Sequence, residues 1–223
     1  MTFLELLTEL NNRIAAAKVS GFWTDTMKKE WINKAGERIC DFRRWKFLES
    51  AKKTTTVKDQ EYYDYPSEFK LNSIYYMEVD GKEHIETSWD DYQDYKAAES
   101  TDKIFTSHNG FYFINPTPAE ANLEIAIWGI KKWVKLVNDA DLPITPTEFD
   151  ESIIRLALSI CLQKERRYEE AAVEKSEVEA IGTPGEPGTG GLLWKLGERE
   201  EDEEPKGYTG KAKSTSAGVG LIK

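Results

Sequence analysis

The sequence predicts an α+β fold in which an antiparallel helical bundle carries an inserted antiparallel β-sheet domain. Three observations predict this class. Apolar residues recur at helical spacing over residues 1–50. Alternation at period two, with two hairpin signals, follows over residues 51–143, and the helical period returns over residues 144–181. We therefore expect a bundle of two N-terminal helices and one long C-terminal helix, followed by an extended Gly/Pro-rich charged arm at 182–223.

Each of the first two predicted helices has a continuous apolar stripe. The first stripe consists of Phe3, Leu7, Leu10, Ile14 and Ala17, and the second of Met27, Trp31, Ala35, Ile39 and Phe42. Thr24 stands before the second stripe, where its hydroxyl can accept a hydrogen bond from an unpaired amide of the first turn. The short connection between the two helices predicts that they pack antiparallel.

The insert contains two dipeptides that are typical of tight hairpins. Asp80-Gly81 follows a run of alternating residues, Asn109-Gly110 lies between two short strand-like segments, and both dipeptides consist of residues that tolerate a positive φ. Between these hairpins, Ser88 can cap a short helix from Trp89 to Ala98. The insert is therefore expected to be a meandering antiparallel sheet with one small helix.

The last predicted helix begins with a capping-box pattern. Thr145 stands at the N-cap, Pro146 at the first helical position and Glu148 at the position from which its carboxylate can reach back. Residues 153–162 are apolar nearly all round the helix, so other elements should enclose this stretch. The pattern then becomes polar and continues to about Ala180.

Composition excludes several classes of protein. The chain has 223 residues and a formal charge of -10, which argues against a protein that coats nucleic acid. Its two cysteines, Cys40 and Cys161, are too few for a disulfide scaffold, and we expect both to be free buried thiols. No apolar run is long enough to cross a membrane. We therefore expect a protein that is not an enzyme, with no catalytic residue, cofactor or metal.

One acidic cluster allows a competing interpretation. Asp90, Asp91 and Asp94 place three carboxylates on the short helix of the insert, where they could hold a divalent cation for a metal-dependent hydrolase. The preference of acidic residues for the first turn of a helix explains them more simply. We favour a solvated helix face and keep the hydrolase as an alternative from another functional class.

The arm at 182–223 differs from the rest of the chain in composition. It holds ten of the fifteen glycines, and ordering so many backbone units costs more than its few apolar side chains return, so we expect it not to fold on itself. One apolar cluster within the arm predicts a peptide that docks on a partner: Leu192, Leu193, Trp194 and Leu196. The basic end after Pro205 could contact DNA or an acidic protein groove.

A second candidate for partner binding ends the second predicted helix. Arg43, Arg44 and Trp45 are followed by a further cation at Lys46. Cations are favoured at a helix C-terminus by the helix dipole, which accounts for them without any partner. Arginine and tryptophan are also the residues that most often anchor protein interfaces. Both interpretations stay open at this point.

The layout resembles the head–tail adaptor, or connector, proteins of tailed bacteriophages. The resemblance covers about residues 1–180 and rests on the order of four stretches rather than on any single motif. These stretches are Asp41-Phe42-Arg43-Arg44-Trp45-Lys46-Phe47-Leu48; Thr54-Thr55 with Gln60-Glu61-Tyr62, Pro66 and Glu68-Phe69; Asn109-Gly110-Phe111-Tyr112-Phe113-Ile114-Asn115-Pro116-Thr117-Pro118; and Phe149-Asp150-Glu151-Ser152-Ile153-Ile154 through Tyr168-Glu169-Glu170-Ala171-Ala172.

The resemblance implies a structural role at the head–tail junction of the virion. Such proteins are made in the host cytoplasm and form a ring of about twelve copies beneath the portal. The ring connects the portal to a downstream tail or nozzle protein, and DNA passes through it without sequence-specific binding. In several relatives a C-terminal arm reaches onto the portal, so we expect a body without residues 182–223 to fold but to bind portal poorly. The alternative is another neck or tail component, a stopper or tail-completion protein that binds the tail.

Overall fold

The computed structural model describes residues 1–19, 22–183 and 189–202, and within them the chain forms six α-helices and seven strands. The helices are α1 (Phe3–Ala16), α2 (Asp25–Phe42), α3 (Trp89–Ala97), α4 (Asp150–Lys164), α5 (Tyr168–Glu179) and α6 (Leu192–Asp202). The strands are β1 (Glu49–Thr55), β2 (Tyr62–Asp64), β3 (Tyr76–Val79), β4 (Lys82–Glu86), β5 (Ile104–His108), β6 (Phe111–Asn115) and β7 (Glu124–Ile130). The predicted α+β class is confirmed.

The seven strands form one sheet in the order β1-β7-β3-β4-β5-β6-β2. Both predicted hairpins are present, with Asp80-Gly81 joining β3 to β4 and Asn109-Gly110 joining β5 to β6, and all four residues have positive φ. The prediction of a wholly antiparallel sheet is wrong, because β4 pairs with β5 in parallel. The reason is α3, capped by Ser88 as predicted, which carries the chain back along the sheet as a crossover connection.

The sheet curls so that its two edge strands approach each other. Strands β1 and β2 stand at opposite ends of the strand order, yet Lys52 of β1 and Tyr62 of β2 line the same cavity of about 480 Å³. Tyr63 and Tyr112 stack at 5.4 Å and also line this cavity. The sheet is therefore an open, barrel-like layer with a cleft between β1 and β2.

Two clusters of buried apolar side chains hold the chain together. One cluster is built mainly from the helices other than α3, and the second lies on the inner face of the sheet. Members of the first with almost no exposure are Leu6, Leu10, Ile32, Ile39, Ile153 and Leu193. Members of the second are Met77, Phe105, Tyr112, Ile114, Ile125 and Ile127.

The predicted long C-terminal helix is two helices. Arg166 has a φ of 63°, a left-handed conformation that a helix cannot continue through. The amide of Arg167 then donates to the Leu162 carbonyl at 3.0 Å, which closes α4. Helix α5 returns along α4, where the buried Ser159 hydroxyl donates to the Ala171 carbonyl at 2.8 Å. Residues 153–162, which the sequence predicts to be enclosed, are therefore covered on one side by α5, the polar second half of the predicted helix.

The capping box predicted at Thr145 is also wrong. Pro146 itself is extended and leads directly into a short 3₁₀ turn over Thr147–Phe149, so α4 begins only at Asp150. The hydroxyl of Thr145 is buried without a partner among the described residues. The amino group of Met1 donates instead to the Asp150 carboxylate at 2.6 Å, in the first turn of α4. The N-cap predicted at Thr24 is confirmed, since its hydroxyl accepts from the Met27 amide at 3.4 Å.

The arm expected to be extended folds in part onto the body. Residues 192–202 form α6, which packs on α5, and Leu193 is fully buried in the helical cluster. The amide of Gly191 donates to the Ala180 carbonyl at 2.8 Å and so fixes the start of the helix. The sequence argument considered only whether the arm could fold alone, whereas the body supplies the apolar surface that α6 covers. Residues 184–188 and 203–223, which include the basic end after Pro205, lie outside the described residues.

An irregular segment after β7 is fixed to the outside of α2 by one buried amide side chain. Asn33 donates to the Leu136 carbonyl at 3.0 Å and accepts from the Leu136 amide at 2.7 Å. Its oxygen also accepts from the indole nitrogen of Trp133 at 3.1 Å. The Trp133 ring lies directly on Gly36, where a Cβ atom would collide with it. Residues 131–137 therefore have a fixed path although they form no helix or longer strand.

Candidate partner-binding surface where α2 and α6 meet

The three residues predicted at the end of α2 point in different directions. Trp45 is fully buried, its indole nitrogen donates to the Ile39 carbonyl at 2.7 Å, and its ring meets that of Phe149 edge-on at 4.9 Å. Arg44 is exposed, with its guanidinium 3.8 Å from the centre of the Tyr75 ring and its Nε donating to Glu49 at 2.8 Å. Trp45 thus anchors this turn in the core, and Arg43 and Arg44 form the polar surface at the end of α2.

Arg43 is the residue that joins the turn to α6. Its guanidinium stands 5.3 Å from the centre of the Trp45 ring, an arrangement that favours a cation. On its other side it contacts α6 at Gly197, where a Cβ atom would collide with the Arg43 Nη1 nitrogen. The absence of a side chain at position 197 therefore leaves the space beside α6 that the Arg43 guanidinium occupies.

The apolar cluster predicted in the arm is divided between the core and the surface. Leu193 is fully buried, and Leu192 and Leu196 are half-buried against the same core. Trp194 is also half-buried, and its indole nitrogen donates to the Glu198 carboxylate at 3.0 Å, one turn further along α6. Of the four predicted residues, Leu193 is the one whose side chain no partner can reach while α6 is docked.

The two predicted sets of residues meet around one open cavity. The cavity has a volume of about 400 Å³ and is lined by Phe42, Arg43, Ile181, Trp194 and Glu198. Ile181 is 78% exposed, which is unusual for a large aliphatic side chain beside a half-buried tryptophan. An apolar wall with one cation and one anion at its rim is suited to receive an apolar side chain of a partner protein.

Sequence reasoning missed three members of this surface. The sequence analysis predicts no role for Ile181 or Glu198, and the composition around Gly197 indicates only a glycine-rich arm. The spacing of Leu192 and Leu193 from Leu196, at four and three residues, is a helical signal that predicts α6. The contact with Arg43 has no signal in the sequence, because it joins distant parts of the chain.

The other candidate chemistries do not assemble into a site within the described residues. Asp91 accepts a hydrogen bond from the Ser88 hydroxyl at 2.7 Å, as part of the start of α3. Across residues 1–19, 22–183 and 189–202, no three His, Cys, Asp or Glu side chains lie close enough together to hold a metal ion. Cys40 and Cys161 are free and buried, as predicted, and burial raises the pKa of their thiols to about 12 and about 11.

A family model described as SU10 adaptor protein matches residues 1–182. The chain belongs to this family of phage head–tail adaptors. Family membership makes it a component of the phage virion. None of the curated proteins compared with the chain matches it.

The family match and the candidate surface overlap only in part. The match includes Phe42, Arg43 and Ile181 but ends at Gly182, ahead of α6 with Trp194 and Glu198. One wall of the cavity is thus built from the adaptor family region and the other from a helix beyond it. In the described part of this adaptor, no helix has the length and apolar character needed to cross a membrane.

Proposed function

We propose that the protein is a non-enzymatic adaptor that forms a ring beneath the portal and connects it to the tail. The observation that carries the proposal is the family match across residues 1–182, which covers the bundle helices α1, α2, α4 and α5 together with the whole sheet. The net charge of -10 supports the passage of DNA through such a ring, because a surface rich in carboxylates does not retain phosphates.

The portal contact is proposed at the cavity between α2 and α6. Trp194 and Arg43 are residue types that carry a large share of the binding energy in protein interfaces, and both line this cavity. Ile181 adds an exposed apolar side chain beside them. Leu193 and Trp45 support the surface from within the core. Leu192 and Leu196 pack against the same core, and Arg44 lies on Tyr75 outside the cavity lining.

The position of Leu193 changes what a deletion of residues 182–223 is expected to do. Removal of α6 would uncover the part of the core that Leu193 fills. A loss of portal binding after that deletion would then report on the stability of the body as well as on the contact. Point substitutions on the open side of α6 separate these two effects.

The test compares portal binding of the full-length wild type with two single variants. Trp194→Ala and Ile181→Ser are expected to weaken binding to the portal ring of the same phage, with about 2 kcal/mol, or roughly 30-fold, for the tryptophan. Tyr168→Ala serves as the matched control, because Tyr168 is 64% exposed at the start of α5, away from the cavity lining. Equal affinity of all four proteins for portal would exclude this surface as the contact.

The same experiment separates the adaptor from its closest alternative. A stopper or tail-completion protein would bind the isolated tail and leave the portal ring unoccupied. Binding to portal supports the adaptor role, and binding to the tail alone would replace it with the tail-side component. The metal-dependent hydrolase is tested separately by titration with Mg²⁺ or Mn²⁺ in a calorimeter, where heat of binding would support it.

A further inference from the structure

The outer face of the sheet at strands β2, β6 and β5 carries a row of aromatic side chains. The register places Tyr62 opposite Phe113, and Asp64 opposite Phe111, which is itself opposite His108. Side chains two residues apart on a strand share a face, so these residues lie together on the side away from the buried Tyr63 and Tyr112. Tyr62 meets the rings of Phe111 and Phe113 at 5.5 and 5.8 Å.

Helix α3 covers this face only in part. The Trp89 ring stacks on His108 at 4.1 Å and meets Phe113 edge-on at 4.9 Å, yet Trp89, Phe111 and Phe113 all remain half-exposed. Tyr62 is 50% exposed. Neither the Tyr62 hydroxyl nor the Trp89 indole N–H has a hydrogen-bond partner among the described residues. Aromatic side chains with a free polar group are typical of protein interfaces.

The charged side chains beside these rings that have no ion-pair partner are acidic. Asp64 on β2 and Asp90 beside Trp89 are exposed, and neither forms an ion pair with a described residue. The cations nearby, Lys96 of α3 and Lys52 across the cleft, are each paired with a glutamate, at 2.7 and 2.8 Å. We call Tyr62, Asp64, Trp89, Asp90, Phe111 and Phe113 the acidic aromatic face. Its chemistry fits a partner surface of cations and aliphatic groups.

A surface of that chemistry is present on the same chain. The segment that Asn33 fixes against α2 exposes Lys132, Val134, Lys135 and Val137, of which Val134 is 61% and Val137 66% exposed. Neither lysine has an ion-pair partner within residues 1–19, 22–183 and 189–202. A buried amide thus holds in place a segment whose outward side chains are alternately cationic and aliphatic. We call these four residues the lysine–valine face.

We propose that the acidic aromatic face of one copy binds the lysine–valine face of the next copy. The two faces differ, so the contact is heterologous and repeats from copy to copy until a ring closes. Lysines of one copy meet Asp64 and Asp90 of its neighbour, and the valines pack on the half-exposed rings. The choice of a second copy as the partner rests on the ring proposed above.

Charge reversal on each face tests the pairing without portal. The first variant carries Asp64→Lys with Asp90→Lys, and the second carries Lys132→Glu with Lys135→Glu. Self-association of the full chain is measured by sedimentation up to millimolar concentration. Each variant alone is expected to associate at least about tenfold more weakly than wild type, because its altered face meets like charge.

The mixture of the two variants is the decisive sample. In an equimolar mixture every contact again joins opposite charges, so association is expected to return to the wild-type level. A contact between two identical faces would not be restored by mixing. The control, Glu83→Lys with Glu99→Lys, makes the same change of charge at two exposed acids outside both faces and should associate like wild type.

Several results would overturn the pairing. These are a wild type that stays monomeric at millimolar concentration, variants that associate as wild type does, or a mixture that stays as weak as its components. Spectra showing a folded chain are required of each variant, and a variant that unfolds is replaced by the single substitution Lys132→Glu or Asp64→Lys. Portal binding by single copies remains measurable in every case, so failure of this pairing is distinct from failure of the adaptor role.

Discussion

The guanidinium group of Arg43 packs against the backbone of α6 at Gly197, in a space that any side chain at position 197 would fill. This contact joins the end of α2 to a helix that lies beyond the range of the family match. It also forms one border of the cavity proposed to bind portal. The docking of α6 is therefore both a structural feature and a condition for the proposed contact.

Substitution Gly197→Val should displace the Arg43 guanidinium from α6, because a Cβ atom at position 197 would overlap its Nη1 nitrogen. The guanidinium is the end of a flexible side chain that can swing away, and valine has a better helix propensity than glycine, so the free energy of unfolding should change by less than about 1 kcal/mol. Urea denaturation measures the change. Arg199→Val on the exposed side of α6 is the control and should also cost only a few tenths of a kcal/mol. A loss of more than about 2 kcal/mol at position 197 alone would contradict this expectation, because it would show that α6 docks through a fixed contact with Arg43.

Substitution Asn33→Ala should cost about 2–4 kcal/mol, because it leaves both polar groups of Leu136 and the Trp133 indole without their partner. The free energy of unfolding is again the measured quantity. Asn12→Ala is the control, since Asn12 is exposed and makes only a long bond to Glu9 at 3.4 Å, and it should change stability by less than about 0.5 kcal/mol. A small effect at Asn33 would contradict its role in holding residues 131–137.

His84 should make the protein less stable as the pH falls below neutral. Burial lowers the pKa of His84 in the folded state, although its ring nitrogen at Nδ1 lies 3.0 Å from the Lys82 carbonyl. The unfolded chain then binds a proton more readily, so the contribution is complete above the unfolded pKa of about 6.5 and is lost as the pH falls through the folded pKa.

The difference in unfolding free energy between wild type and His84→Asn isolates this effect from the many carboxylates. That difference should shrink as the pH falls from about 7 to 5, and it should stay constant if His84 does not titrate differently in the folded state. His108→Asn is the control substitution, because it makes the same change at a histidine that is half-exposed and stacks on Trp89.

Both cysteines should be inert toward a thiol reagent in the native protein at pH 8. Cys40 and Cys161 are buried, and burial raises the pKa of their thiols to about 12 and about 11, so the reactive thiolate is scarce. Two thiols should react once the protein is unfolded in guanidinium. Rapid labelling of either cysteine before unfolding would show that its helix does not stay packed.

The sequence predicted those elements whose determinants are local. The stripe of Phe3, Leu7 and Leu10, the cap at Thr24 and the hairpin at Asp80-Gly81 all depend on residues within one or two turns. The resemblance to the adaptor family could also be recognised from the sequence, because it rests on the order of such local elements. Local rules favour a cap at Thr145. In the structure the chain is extended at Pro146, and the amino group of Met1 instead donates to Asp150 in the first turn of α4.

The remaining features depend on contacts between distant residues. Nothing near Arg166 in the sequence predicts its left-handed conformation, which α4 and α5 impose by packing on each other. The parallel pairing of β4 with β5 follows from where α3 crosses the sheet. Docking of Leu193 could not be predicted from the composition of the arm, because its burial depends on surface supplied by α5.

The most direct test of the adaptor role is the mass of the purified protein, alone and after mixing with the portal ring of the same phage. We expect copies of this 25.5 kDa chain to join the portal as a complex of many copies, and Trp194→Ala to lower their number at equal concentration. A portal ring whose mass does not change, together with binding to the isolated tail, would contradict it.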